Sequence, residues 1–319
     1  MAGRKDWDNA FTAGDLKGTV HGSPSFAGAL SFMRRKYTRD LGSVDVAVTG
    51  IPLDLATTNR PGARFGPRAI RAATSGLSWA RPWPWDFDPF DRLAVIDYGD
   101  CEFDHGDPAS IAGFIEAYIG AILDRGVATL VLGGDHFATY PVLQAYAGRH
   151  GPLSLVHFDA HSDTWSEETQ RLDHGTMFYH AVKSGLVDDA RSVQIGLRTT
   201  NDEPLGFNIL DARWVHRHGP EAVAARIKEV VGDNVVYLTF DIDCLDPACA
   251  PGTGTPVCGG LSSWQALETV RGLTGINLVG MDVMEVAPAY DVGEITAIAA
   301  ATLAAEFLCL FAAGRAGAG

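Results

Sequence analysis

The stretch LSLVHFDAHSD, residues 153–163, sets a short apolar run, 153–158, directly against the polar cluster Asp159-Ala160-His161-Ser162-Asp163. A run this short, apolar but for Ser154 and His157 and without strict alternation, fits a strand covered on both faces, as in a parallel sheet packed between helices. Asp159, His161 and Asp163 stand at i, i+2 and i+4. On extended backbone, all three are expected to point to one side. His157, just before the cluster, reads as a core histidine on the opposite strand face. The same pattern recurs at three other places. Residues 128–132 run into Gly133-Gly134-Asp135-His136, residues 235–240 into Asp241-Ile242-Asp243, and residues 277–281 into Asp282-Val283-Met284-Glu285.

Outward from these four segments, further β-rich runs stand at 45–51, 93–98 and 193–195. Helix-like segments lie between the runs. Ile111, Phe114, Ile115, Tyr118 and Ile122 repeat at helical spacing, as do Val223, Ile227 and Val231. Gly66-Pro67 predicts a helix with proline in its first turn, and Ser262 with Gln265 has capping-box spacing before a helix that Gly272 should follow. The alternation predicts an α/β fold with a mostly parallel sheet sandwiched by helices. No linker or repeat divides it, so one domain is expected over residues 41–313, after an N-terminal arm (1–40) and before a flexible tail (314–319). In such folds, ligands bind beyond the carboxyl ends of the strands.

Four carboxylates gathered at that rim, out of water, repel one another and should take up protons. Divalent cations remove the penalty. Six ligands (His136, Asp159, His161, Asp163, Asp241 and Asp243) are too many for one cation and suit two. Oxygen and imidazole donors without thiolate favour manganese over structural zinc.

The remaining composition is bland. The 319 residues are 46% hydrophobic and 20% charged, with a net charge of -14. That acidity argues against nucleic acid or an anionic membrane as partner and suits a small cationic substrate. Five cysteines with no CxxC pair and no secretory leader read as reduced thiols in the cytoplasm. The apolar run 295–313 is interrupted by Glu306 and reads as a buried helix rather than a membrane span.

GGDH (133–136), DAHSD (159–163) and FDIDCLDP (240–247) resemble the metal signatures of the ureohydrolase family, which includes arginase, agmatinase and the guanidino-acid hydrolases. NRPGARFGPRAIR (59–71), DHGTMF (173–178), VQIGLR (193–198), APGTGTPVCGGLS (250–262) and GMDVMEVAPAYD (280–291) look like agmatinase in particular. The resemblance runs from about residue 25 to 312. It implies an eight-stranded three-layer α/β/α sandwich assembled as a homo-oligomer, trimer or hexamer. It also implies one Mn2+ on His136, Asp159, Asp163 and Asp241 and a second on Asp159, His161, Asp241 and Asp243.

In such enzymes a metal-bridging hydroxide attacks the guanidinium carbon. By resemblance, Asp163 accepts a hydrogen bond from the intermediate, Glu285 pairs with the guanidinium, and His174 shuttles the proton to the leaving amine. The substrate tail is less legible. Trp165 stands where arginase carries a polar residue, which disfavours arginine. Glu167, Glu168 and Asp173 make the loop acidic, as agmatine's ammonium requires. Arg171 points instead to 4-guanidinobutyrate or 3-guanidinopropionate. The expected reaction is hydrolysis of agmatine to putrescine and urea, with a guanidino-acid hydrolase as the alternative. A zinc deacetylase of related architecture and a non-catalytic metal-stabilised binding protein are the more distant readings.

Overall fold

Each of the apolar runs forms a strand in the computed structural model, which describes residues 9–12, 14–18, 24–166, 171–202 and 205–316. The strands are β1 (Val46–Ile51), β2 (Val95–Asp100), β3 (Ala128–Gly133), β4 (Ser154–Phe158), β5 (Val193–Ile195), β6 (Asn208–Leu210), β7 (Val235–Asp241) and β8 (Asn277–Met284). They make one eight-stranded sheet in the order β2-β1-β3-β8-β7-β4-β5-β6, and every neighbouring pair is parallel. β6 is an addition to the runs visible in sequence. Asp282 lies inside β8 rather than beyond its end, because that strand continues to Met284.

Alternation along the strands divides the core in two. Val236, Leu238 and Phe240 of β7 pack with the helices Gly66–Thr74, Ala212–Val231, Ser263–Gly272 and Ile295–Ala316. Tyr237 packs on the other face with Pro108–Leu123, Thr139–His150 and Met177–Lys183. The result is a three-layer α/β/α sandwich. Pro67 sits in the first turn of its helix, and Ser262 and Gln265 form a reciprocal capping box. Gly272 is the last helical residue rather than the first beyond the end.

The helix Ile295–Ala316 is long and apolar enough to cross a membrane, yet 78% of its most apolar window is buried within the protein. Its one interior acid, Glu306, accepts a hydrogen bond from Trp85 Nε1 at 2.6 Å and pairs with Arg271. A charge in an apolar helix is thereby neutralised inside the fold rather than left for lipid.

At the β2 edge, Phe32 and Met33 enter the core. The Phe32 amide donates to Asp97 Oδ2 at 2.7 Å, and Arg71 clamps the same carboxylate through Nε at 2.8 Å and Nη2 at 3.0 Å. Asp97 is fully buried. Removing one partner of such a pair strands a charge in the interior, so Arg71→Ala should destabilise by about 3–5 kcal/mol. Denaturant midpoints would measure it against Arg226→Ala, which breaks the exposed pair with Glu229 and should change stability by under about 1 kcal/mol.

Candidate metal centre and active site

The sheet order makes β3, β8, β7 and β4 neighbours at the centre. Because they are parallel, the segments beyond their carboxyl ends share one rim. His136 follows β3, Asp159–Asp163 follows β4, Asp241 closes β7 with Asp243 just after it, and Glu285 follows β8. All except His161 are buried.

The side chains form two groups that share one carboxylate. His136 Nδ1 lies 3.2 Å from Asp159 Oδ2, 3.2 Å from Asp163 Oδ2 and 3.3 Å from Asp241 Oδ2. His161 Nδ1 lies 3.3 Å from Asp159 Oδ1 and 3.1 Å from Asp243 Oδ2. The two oxygens of Asp159 therefore face different histidines. Asp241 joins the His136 group with Oδ2, while its Oδ1 accepts the Asp243 amide at 2.8 Å.

The convergence is not produced by extended backbone alone, as the i, i+2, i+4 spacing had suggested. β4 ends at Phe158, and Asp163 adopts φ +53°; Asp243 sits in the 3-10 turn Ile242–Cys244. Glu285 has φ +64°. Left-handed backbone at non-glycine residues is uncommon, and two instances at one rim mark a site whose geometry is imposed by its surroundings.

Whether these residues fit a cation is decided at His136 Nδ1. Although three carboxylate oxygens surround it almost equidistantly, it makes no hydrogen bond among the described residues. Such a nitrogen is aimed between its neighbours. One proton there could serve only one acceptor, whereas a dication at the centre serves all four atoms. The ring is held from behind. Thr239 Oγ1 donates to Asp282 Oδ1 at 2.6 Å, so it accepts from His136 Nε2 at 2.7 Å, leaving Nδ1 to face the carboxylates. This outer support is typical of metal-ligating histidines. The residues fit.

Without a cation, protons take its place. Burial opposes charge on His136 and His161, but the surrounding carboxylates win: His136 is raised well above the usual imidazole range and His161 to about 12. Burial and then Asp159 push Asp163 up to about 7. Burial and then Glu285 do the same to Asp135, whose Oδ2 accepts the Ala56 amide at 2.9 Å.

Glu285 completes the rim. Its Oε1 accepts the His136 amide at 2.9 Å and lies 3.1 Å from His174 Nδ1. Its Oε2 is buried and makes no hydrogen bond among the described residues. On its other side, His174 Nε2 lies 3.0 Å from the Thr58 amide and 2.8 Å from Thr58 Oγ1. Burial disfavours the imidazolium, yet Glu285, then Asp163 and Asp135, raise His174 to about 9.

A cavity of about 190 Å³ opens here, lined by residues that include His161, Asp163, Trp165, Arg171, Asp173 and His174. Trp165 is half-buried, its ring centroid 6.1 Å from that of His161. Arg171 pairs with Asp173, so their charges offset each other. Glu167 and Glu168 lie outside the described residues.

One sequence reading is corrected. His157 is not on the opposite face: it is fully buried within the cluster, with Nε2 2.8 Å from Asp159 Oδ2. Residues two apart on a strand share a face, so the parity was already present in the sequence. Thr239, two residues before Asp241, carried the same signal. Thr58 carried none, since a loop over 100 residues away brings it in.

The sequence model of the arginase family matches residues 44–310. The chain belongs to the arginase family. An agmatinase of Chromobacterium violaceum is 58% identical over 288 residues, covering 90% of this chain and 89% of the relative. A crystal structure of a hypothetical agmatinase from Burkholderia thailandensis has a TM-score of 0.96 at 58% identity, covering 99% of this chain and 100% of that one. The proclavaminate amidino hydrolase of Streptomyces clavuligerus has a TM-score of 0.86 at 39% identity, covering 92% of this chain and 100% of its own. This arginase-family chain is thus an enzyme of the ureohydrolase class, with the family's fold.

The proton substitution has a consequence for the metal-free arginase-family protein. Histidines raised above their unfolded value of about 6.5 stabilise below that pH, and the stability is lost as pH rises through their folded values. His136, His161 and His174 behave so. Asp135 and Asp163, raised to about 7, hold protons that the unfolded chain releases near pH 4, which also lowers stability as pH rises. His157, lowered by burial, acts in the opposite sense below about pH 6.5 but is outnumbered. The melting temperature in chelator should therefore fall from about pH 5 to pH 8, and an added divalent cation that binds the cluster should stabilise more at the higher pH. A chelated protein that grows more stable across this window would contradict the proton inventory.

Proposed function

We propose that the protein catalyses the manganese-dependent hydrolysis of agmatine to putrescine and urea. The observation that carries this reading is the unpartnered Oε2 of Glu285, a buried carboxylate oxygen beside the two-histidine cluster. A buried anionic acceptor is costly unless it meets a donor. A guanidinium supplies paired N–H donors and a positive charge in a planar fork that matches a carboxylate.

His136, Asp159, Asp163 and Asp241 would hold one Mn2+, and Asp159, His161, Asp241 and Asp243 the other. Bound there, the pair would supply hydroxide at neutral pH by lowering the pKa of water from 15.7 toward about 7. The protein's own groups do the rest. Glu285 binds and aims the guanidinium, so that its carbon stands over the metal rim. Asp163, at the cavity wall, accepts a hydrogen bond from the tetrahedral intermediate. As the bond from the guanidino carbon to the alkyl nitrogen breaks, the leaving amine needs a proton. His174 is suited to give it: Glu285 holds its Nδ1, and its Nε2 can either accept from the Thr58 amide or donate to Thr58 Oγ1. Positioning and electrostatics supply most of the acceleration.

Agmatine is preferred for three reasons. The relatives above at 58% identity bear the name agmatinase. Trp165 lines the cavity with an apolar surface suited to a butyl chain. Arg171, the residue that would welcome a carboxylate tail, is already matched by Asp173. Glu167 remains our choice for the distal ammonium. We also read the protein as a cytoplasmic homo-oligomer, trimer or hexamer, built on one catalytic domain over residues 41–313.

Urea release from the manganese-loaded protein, offered agmatine, arginine and 4-guanidinobutyrate side by side, tests the reading. Agmatine should be turned over fastest, and Glu285→Gln should lower its kcat/KM about 100-fold while retaining manganese, the scale of a lost charge-assisted contact. Faster turnover of 4-guanidinobutyrate would overturn the substrate. An unchanged kcat/KM in the variant would overturn the role of Glu285.

A further inference from the structure

His157 is buried at the back of the metal cradle, and no step of the reaction uses it. Its two ring nitrogens are both engaged. Nδ1 lies 3.1 Å from Gln194 Nε2, and Nε2 lies 2.8 Å from Asp159 Oδ2. The direction of these bonds follows from a third. Gln194 Nε2 also lies 2.6 Å from the carbonyl oxygen of Ser162. A carbonyl oxygen only accepts, so that face of the glutamine must be the amino group. Turning the amide over would set two oxygens against each other. With the amino group fixed, Nδ1 of His157 must accept from it, and the ring proton belongs on Nε2. From there it is donated to Asp159.

The ring has little freedom to do otherwise. Phe178 packs edge-to-face against it with ring centroids 4.6 Å apart. Neither nitrogen has a lone pair left for a cation, so His157 is not a metal ligand in spite of its place among candidate ligands.

What the bond controls is the rotation of one carboxylate. Asp159 Oδ2 faces His136 and Oδ1 faces His161, each oxygen serving a different half of the site. The His161 amide holds Oδ1 at 2.6 Å. His157 holds Oδ2. We infer that His157, its tautomer set by Gln194, is a positioning residue that locks Asp159 in the orientation needed to bridge two metal ions. The inference rests on the reading that the cluster holds a manganese pair. It assigns to residue 157 an effect on metal affinity rather than on the chemical step.

The test measures Mn2+ binding to the full-length protein, by titration calorimetry and by metal content after dialysis, for wild type and three variants. His157→Phe keeps the ring and loses the donor; it should weaken Mn2+ binding about 10- to 100-fold, the scale seen when outer partners of metal ligands are removed. His157→Gln places an amide nitrogen where Nε2 stood and should restore most of the affinity. A residue serving only to fill space would show the reverse order. Gln194→Met leaves His157 in place but frees its tautomer, and should weaken binding several-fold; it also covers the case in which His157→Phe does not fold. Wild-type affinity in a folded His157→Phe, or in Gln194→Met where His157→Phe does not fold, would overturn the inference. So would a His157→Gln variant as weak as His157→Phe, or one that loses a metal even at saturation, as a ligand would. Wild-type protein that binds no manganese would instead overturn the reading beneath it.

Discussion

Mutual repulsion among Asp159, Asp163, Asp241 and Asp243 is the constraint on which the rest of this molecule depends. All four carboxylates are buried within a few ångströms of one another, and two histidines are insufficient to balance them. In the absence of a cation, the arrangement survives by holding protons on His136, His161 and Asp163 that the same groups would not keep in water. A pair of dications, as we propose, would relieve the repulsion directly. The same need for positive charge extends to Glu285, whose Oε2 has no donor among the described residues. In the proposed function, metal and substrate would answer one electrostatic demand at two depths.

The fold imposes this demand through topology. Central placement of β3, β8, β7 and β4, all parallel, gathers residues from four distant parts of the chain at one rim. Fine placement then falls to local devices. Two of the acids at the rim, Asp163 and Glu285, stand on left-handed backbone. Thr239 with Asp282 orients His136, and Gln194 with His157 orients Asp159. His136 and Asp159 are thus each held by a partner one layer further back.

Much of this was legible in the sequence, and the reasons for the gaps are physical. Central strands announced themselves because both faces are buried, which favours mostly apolar runs such as residues 128–132, where Thr129 is the one polar residue. β6, with only Asn208–Leu210 at the sheet edge, is under no such demand and left no signature. The candidate metal ligands were visible because polar residues followed four strand ends. Their exact approach was not: left-handed φ at Asp163 and the turn carrying Asp243 answer tertiary contacts that no local pattern encodes. His157 was misplaced although its two-residue offset from Asp159 put it on the same face. The acidic loop containing Glu167 supplied the argument about the substrate tail, and there the sequence still speaks alone.

The central claim is that the clustered carboxylates hold two ions. Anomalous diffraction from crystals grown with Mn2+, recorded on either side of the manganese absorption edge, measures this most directly. The account predicts two peaks about 3.5–4 Å apart, one against His136 Nδ1 and one against His161 Nδ1, with Asp159 between them. A single peak, or none at this rim, would contradict it.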